Sequence, residues 1–289
     1  MNCQLCPRQC GVDRTVGQYG YCQSPATPRV ARAALHFYEE PPISGTRGSG
    51  TVFFTGCSLG CVFCQNRAIR SPERGREADA AALSEIYLSL ADEGAHNINL
   101  VTPTHYADVV AKSLETVREK LHIPVVYNCG GYERVETLRR FEGLVDIYLP
   151  DFKYISPALA EAYSAAPDYA EHATRALCEM VRQVGAVSLD GEGMMTRGVM
   201  VRHLVLPGAR KDSIAVLDRI AESVAVRDIR LSLMSQYTPD FAAPDAPQVL
   251  RRRVTTFEYE SVLSHAMALG FEGYFQHPSS AKADYTPDF

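Results

Sequence analysis

The sequence has no apolar run long enough to span a membrane, and its opening Met1-Asn2-Cys3 lacks the hydrophobic stretch of a secretory signal. The expectation is a cytoplasmic protein with no membrane partner. Nor is there a surplus of positive charge. Against 34 Asp and Glu stand 29 Lys and Arg, a net charge of −5, so the electrostatic footprint of a nucleic-acid binder is missing and no such partner is expected. Residues 1–50 are also poor in apolar periodicity, and packing alone offers them little order. The whole chain is not poor in this way. It has 289 residues, 46% of them hydrophobic, enough to bury a large core without staples.

Cysteine is what the chain has in quantity. There are nine, an odd number, and seven of them (Cys3, Cys6, Cys10, Cys22, Cys57, Cys61 and Cys64) lie before residue 65 in two tight groups. Disulfides are rare in a reducing compartment, so this clustering argues for metal ligation.

After a Pro- and Gly-rich connection from Pro41-Pro42 to Gly50, the pattern becomes regular. Short strands are expected at Thr51–Thr55, Asn97–Val101, Pro124–Tyr127, Asp146–Leu149, Val199–Leu206 and Arg230–Met234. Between them lie helical periodicities, such as Leu83, Ile86, Tyr87 and Leu90, or Ala173, Leu177, Val181 and Val184. Asp212 or Ser213 is placed to cap the helix carrying Ile214 and Leu217, and a last helix runs from about Thr256 to Leu269. Strands alternating with helices imply a parallel sheet with right-handed crossovers. Six such units are too few for a closed eight-stranded barrel. The expected fold is therefore α/β, a partial (β/α)6 TIM-like barrel over 51–289 with a Cys-rich metal-binding extension over 1–50. Chemistry is expected at the C-terminal strand ends. Tyr237 to Phe241 recurs word for word as Tyr285 to Phe289, too short to be a structural repeat.

The first barrel strand runs into Thr55-Gly56-Cys57-Ser58-Leu59-Gly60-Cys61-Val62-Phe63-Cys64, a C-x3-C-x2-C spacing. Three thiolates on one loop can hold three irons of a cubane and leave the fourth iron open to a small molecule. Structural zinc would need a fourth ligand that this segment does not offer.

C-x3-C-x-aromatic-C after the first strand of a partial barrel resembles the radical S-adenosylmethionine (SAM) signature, and the resemblance extends from about Gly50 to the C-terminus. The nearest likeness is to relatives of the pyruvate formate-lyase activating enzyme that carry an N-terminal cysteine cluster. The resemblance implies a [4Fe–4S] cluster on Cys57, Cys61 and Cys64. It further implies reductive cleavage of SAM to a 5′-deoxyadenosyl radical that abstracts a substrate hydrogen, and a reductant such as flavodoxin or ferredoxin. By the same likeness Phe63 lies near adenine. Thr102-Pro103-Thr104-His105 stands where family members often have Gly-Gly-Glu, which makes Thr102 and Thr104 candidates to meet the SAM amino group. Asn128, Asp151, Lys153, Arg202 and His203 match the ends of later strands and are candidate cofactor-binding residues. Ser235-Gln236-Tyr237 occupies the place of a His found in the activating enzymes.

Each of these also has a structural reading. Asp151 and Lys153 can be an ion pair, His203 a core residue, Cys129 a small buried hydrophobe and Cys178 an inert helix residue. His36, His96, His122, His172, His265 and His277 belong to no recognisable constellation. The four N-terminal cysteines, Cys3-x2-Cys6-x3-Cys10-x11-Cys22, suit tetrahedral zinc or a second, fully ligated iron–sulfur cluster. Three functions remain open: activation of a glycyl radical enzyme, radical modification of a peptide or small molecule, and non-enzymatic electron transfer. No catalytic residue can be named from the sequence.

Overall fold

The computed structural model describes residues 2–276. His277 and the second Tyr-Thr-Pro-Asp-Phe copy, at 285–289, lie outside them. The chain enters the sheet at β1 (Arg29–His36), passes through the single turn α1 (Pro41–Ser44) and returns antiparallel as β2 (Ser49–Phe54). A two-residue β3 (Arg76–Glu77) pairs with the far side of β1. Strand and helix then alternate: α2 (Ala80–Asp92), β4 (Ile98–Val101), α3 (Ala107–Val117), β5 (Val125–Cys129), α4 (Val135–Leu138) and β6 (Ile147–Pro150). Next come α5 (Pro157–Ser164), α6 (Tyr169–Val184) and a short β7 (Ser188–Leu189) folded onto β8 (Met195–Leu204). The chain continues through α7 (Arg210–Ser223), β9 (Ile229–Met234), α8 (Thr256–Ala268) and β10 (Gly273–Phe275).

The sheet order is β10-β9-β8-β6-β5-β4-β2-β1-β3. Among the described residues, the run from β10 to β2 is parallel throughout. The six expected strands are therefore neighbours, and β10 adds a seventh that the sequence reading left out. The sheet does not close: β10 and β3 are its two ends. Residues next to both ends, Phe37 and Tyr38 after β1 and Tyr274 in β10, nonetheless line one cavity. The sheet thus curls round that cavity as an unclosed barrel.

The periodicities explain the layers. Every residue of β4, β5 and β6 is buried, as expected for parallel strands covered on both faces. The helices pack their apolar stripes outside them: Leu83, Tyr87 and Leu90 of α2, Val110 and Leu114 of α3, Leu177 and Met180 of α6. Helix α8 begins with a complete capping box between Thr255 and Glu258.

Two expectations need correction. The boundary placed at residue 50 falls inside the sheet, because β1 pairs with β2 along most of its length. The segment without strand or α-helix is residues 2–28. Asp212 and Ser213 do not cap α7, which starts at Arg210 after Ala209 with no side-chain cap. Asp212 instead accepts from the backbone N–H groups of Ile155 and Ser156, at 3.2 and 2.6 Å, and so fixes the approach to α5. The local pattern for a cap was present, but a half-buried loop with N–H groups to satisfy competed for the same carboxylate.

Candidate functional site

The cysteine loop leaves the end of β2 and is held from several sides. The Thr55 carbonyl meets His105 Nε2 at 2.7 Å, and burial lowers the His105 pKa to about 4, so the ring is neutral. Gly56 has φ +87°, and a Cβ there would fall 2.0 Å from Ser24 Oγ and 2.9 Å from the Cys22 carbonyl. Only glycine lets the N-terminal segment cross so close to the loop. Val62 is tied through its N–H to the Tyr163 carbonyl and through its carbonyl to the Ala243 N–H.

Cys57, Cys61 and Cys64 all line one cavity of about 480 Å³ that runs through the barrel interior. The sulfurs have hydrogen-bond donors. Ser164 Oγ reaches Cys61 Sγ at 2.9 Å and is itself within 3.0 Å of Tyr154 Oη, while the Leu59 N–H points at Cys57 Sγ from 3.4 Å. Burial, then the neighbouring thiols, push Cys64 up to about 12. Ligation of such thiols by metal is coupled to proton release. The donor set suits iron–sulfur ligation: three thiols of one loop, two of them met by hydrogen bonds, facing a space large enough for a small molecule.

The same wall holds most of the residues that the sequence singled out. Phe63 is buried edge-on to Tyr154, Tyr163 and Tyr237 at ring distances of 6.2 to 6.4 Å. Thr102 lines the cavity at the end of β4 in a left-handed conformation, φ +51°, unusual for a β-branched residue and of the strained kind that clusters at binding sites. Asp151 is the hub. Its Oδ2 meets Lys153 Nζ at 2.5 Å and its Oδ1 meets Arg202 Nε at 2.9 Å. Burial alone would raise the Asp151 carboxyl, but Arg202 and Lys153 together outweigh it and hold it below its ordinary value. Arg202 also donates to Asn128 Oδ1 at 2.5 Å and to Glu39 Oε2 at 3.2 Å. The Asp151–Lys153 pair is thus an ion pair and part of the cavity wall at once.

Thr104 and His203 are placed elsewhere. Neither lines the cavity. Thr104 Oγ1 donates to Glu133 Oε1 at 2.7 Å behind β5. His203 alternates with Arg202 along β8, and its Nδ1 lies 2.7 Å from the Phe152 carbonyl. Cys129 is buried and also on the cavity wall. Cys178 is exposed on α6. His172 and His265 contact Asp168 and Asp218, and His96 contacts Arg47.

The sequence reading missed Glu39, Glu40 and Ser164. The first two precede the barrel in the chain, and Ser164 ends a helix that had no expected place. None carries a local signal.

Residues 2–28 fold over the cysteine loop without lining the cavity. Arg8 donates to the carbonyls of Ser58, Ser164 and Ala165 and stacks on Tyr21, whose hydroxyl donates to the Leu59 carbonyl at 2.9 Å. Thr137 holds the Leu5 carbonyl at 2.7 Å. Burial raises the Cys3 and Cys6 thiols, Cys6 to about 12, and neighbouring thiols, Cys22 among them for both, add to the rise. Among the described residues no three His, Cys, Asp or Glu side chains stand close enough to share one metal ion. A cubane places each thiolate on its own iron and asks for no such convergence. All nine cysteines are free thiols.

An unclosed parallel barrel with three cysteines on the loop after its first parallel strand defines a class of iron–sulfur enzyme fold. The chain belongs to the Radical SAM superfamily, whose sequence model matches residues 51–215. Membership implies a [4Fe–4S] cluster and SAM, and enzymes of the superfamily generally need an external reductant. The chain is 28% identical over 275 residues to an uncharacterized protein of Methanocaldococcus jannaschii, covering 92% of this chain and 74% of that one. Its fold is similar to that of a radical SAM methyltransferase from Sphaerobacter thermophilus, with a TM-score of 0.55 at 15% identity over 82% of this chain and 68% of that one. Streptococcus suis SuiB matches with a TM-score of 0.50 at 14% identity, over 78% of this chain and 48% of its own. Among the described residues no helix is long and apolar enough to cross a membrane.

Proposed function

We propose that this protein is a radical SAM enzyme in which Cys57, Cys61 and Cys64 hold the [4Fe–4S] cluster and Phe63, Thr102, Asn128, Asp151, Lys153 and Arg202 receive SAM. The observation that carries the reading is the shared cavity: three thiols of one loop open onto the same buried space as the Asp151–Lys153–Arg202 cluster. When bound, cluster and SAM together supply one-electron cleavage of SAM and hydrogen abstraction from a substrate. The chain's own share is positioning and exclusion of water. Beyond their bonds to Asp151, Glu39 and Asn128, Lys153 and Arg202 have N–H donors left to offer a carboxylate. The electron comes from a flavodoxin or ferredoxin in the cytoplasm.

The likeness of the sequence to activating enzymes makes a glycyl radical protein one candidate partner. Radical modification of a peptide or small molecule is favoured by two departures: Thr102-Pro103-Thr104 replaces the usual carboxylate, and Ser235-Gln236-Tyr237 lacks the His. Residues 2–28, with Cys3, Cys6, Cys10 and Cys22, carry a second metal centre outside the SAM cavity, iron–sulfur rather than a single zinc ion, since no three of these side chains stand close enough to share one ion.

Anaerobic reconstitution followed by dithionite reduction should yield 5′-deoxyadenosine and methionine, and a cluster spin signal that changes on adding SAM. Replacing Cys57, Cys61 and Cys64 together by Ala should abolish both. A SAM-responsive cluster surviving in that variant ends the assignment. Metal left in the variant identifies the second centre: zinc alone, or iron with sulfide. Asp151→Ala and Lys153→Ala should weaken SAM binding at least tenfold with the cluster intact.

A further inference from the structure

Beside the residues proposed to receive SAM, the cavity carries two further carboxylates. Glu39 and Glu40 lie in the connection from β1 to α1 and both line the cavity. They precede the start of β2, whereas the cysteine loop follows its end.

Glu39 is fully engaged. Its Oε2 meets Arg202, and its Oε1 accepts from Asn99 Nδ2 at 3.2 Å and Asn128 Nδ2 at 3.3 Å. Glu40 is not. Ser232 is its hydrogen-bonding neighbour, yet its Oε2 is buried with no partner among the described residues. The nearest cations already have carboxylate partners: Lys153 pairs with Asp151, and Arg202 with Asp151 and Glu39, while its charge also acts on Glu40. Arg70, also on the wall, lies beside Gly60 of the cysteine loop. Three carboxylates (Glu39, Glu40 and Asp151) therefore share two cations.

A buried, half-satisfied carboxylate beside a second carboxylate opposes folding, and such local violations are expected where a ligand completes the site. The group that satisfies it must bring positive charge and N–H donors. The cavity wall also carries the apolar side chains of Phe53, Leu204, Leu206 and Met234. A stem that lies against them must be apolar too.

We infer that Glu40, with Glu39 beside it, seats a cationic nitrogen of the substrate, an ammonium or guanidinium carried on an apolar stem. The inference rests on the reading of the cysteine loop as the holder of the SAM-binding cluster. Two sources share this chemistry: a free alkyl amine, and a lysine or arginine side chain of a peptide.

The test is calorimetric titration of the reconstituted full-length protein, with SAM present, using n-pentylammonium and its neutral isostere 1-pentanol. Pentylammonium should bind at least tenfold more tightly. Glu40→Gln should erase that preference while keeping a melting temperature equal to or above the wild-type value, and Glu40→Asp should retain part of it. Equal binding of the two probes to the wild-type protein overturns the inference, whether or not the variants fold. So does an unchanged preference in Glu40→Gln. Titration of 1,4-diaminobutane and of an end-blocked Ala-Ala-Lys-Ala-Ala peptide then identifies the source, since the tighter binder is the substrate type. The cluster's SAM-dependent spin signal is read on the same samples. If that signal is present and the ammonium preference is absent, the seat at Glu40 falls and the SAM reading stands. If the signal is absent, the SAM reading falls.

Discussion

Residues 2–28 and the barrel hold their polar backbone by different means. In the barrel, β4, β5 and β6 are paired on both sides and buried at every residue, with helices packed outside. Order there comes from ladder hydrogen bonds and apolar burial, each worth a little and present in large number. Residues 2–28 have one 3-10 turn and no strand. Their order comes from a few long-range polar contacts, chiefly from Arg8, Arg14, Tyr21 and Thr137. A region held by few contacts is sensitive to each of them, whereas a region held by many is not.

The largest effect is expected from the thiols. If the proposed second centre forms, replacing Cys3, Cys6, Cys10 and Cys22 together by Ser should remove its metal, and with it about 10 kcal/mol of binding free energy available for ordering the segment. Limited proteolysis should then cut within residues 2–28 while the barrel stays resistant and the SAM-responsive cluster remains. Resistance equal to wild type, with no metal lost, would show that the polar contacts suffice.

The barrel has its own weak point. Glu133 is 2% exposed; burial pushes its carboxyl up to about 7, although Thr104 and Tyr127 hydrogen-bond to it. Its folded value lies above the unfolded one, so its contribution to stability is complete below about 4.5 and is lost as pH rises through about 7. The change amounts to about 3 kcal/mol. Denaturant unfolding of Glu133→Gln at pH 5 and pH 8 should show that much less loss than wild type. Parallel pH profiles for the two proteins would refute it.

Arg8→Ala tests the segment again, more gently. It removes a charged donor from three carbonyls and should cost about 2 kcal/mol, read as faster amide exchange in residues 2–28 with the barrel amides unchanged. The smallest change concerns the contact between α5 and the cysteine loop. Ser164 donates to Cys61, and such a bond favours the more negative, reduced cluster. Loss of about 1 kcal/mol in Ser164→Ala corresponds to a midpoint potential lower by about 40 mV in a spectroscopic redox titration. An unmoved potential would mean that the hydroxyl points elsewhere when the cluster is bound.

Much of this was legible in the chain. The stripe Ala173, Leu177, Val181 and Val184 was read as a helix and lies in α6, because its period is strictly helical. The cysteine loop was legible because its three cysteines fall within eight consecutive residues, and their spacing needs no tertiary context. Strand β10 and helix α5 were not, being short and without a clean period. Asp212 misled, since a cap signal says nothing of a competing loop elsewhere.

The sequence by itself determined whatever depends on neighbours in the chain: the alternation of strand and helix, the three-thiol loop, and the residues Asn128, Asp151 and Arg202 at strand ends. Which of these face one another was decided only by the tertiary structure. Strand register points Arg202 into the cavity and turns His203 away, and the curl of the sheet carries Glu39 and Glu40 from the entry strand to Arg202. The physical reason is one of range. Propensity and spacing act over a few residues, whereas a charge network joins groups 163 positions apart once sheet pairing has brought them within hydrogen-bonding distance.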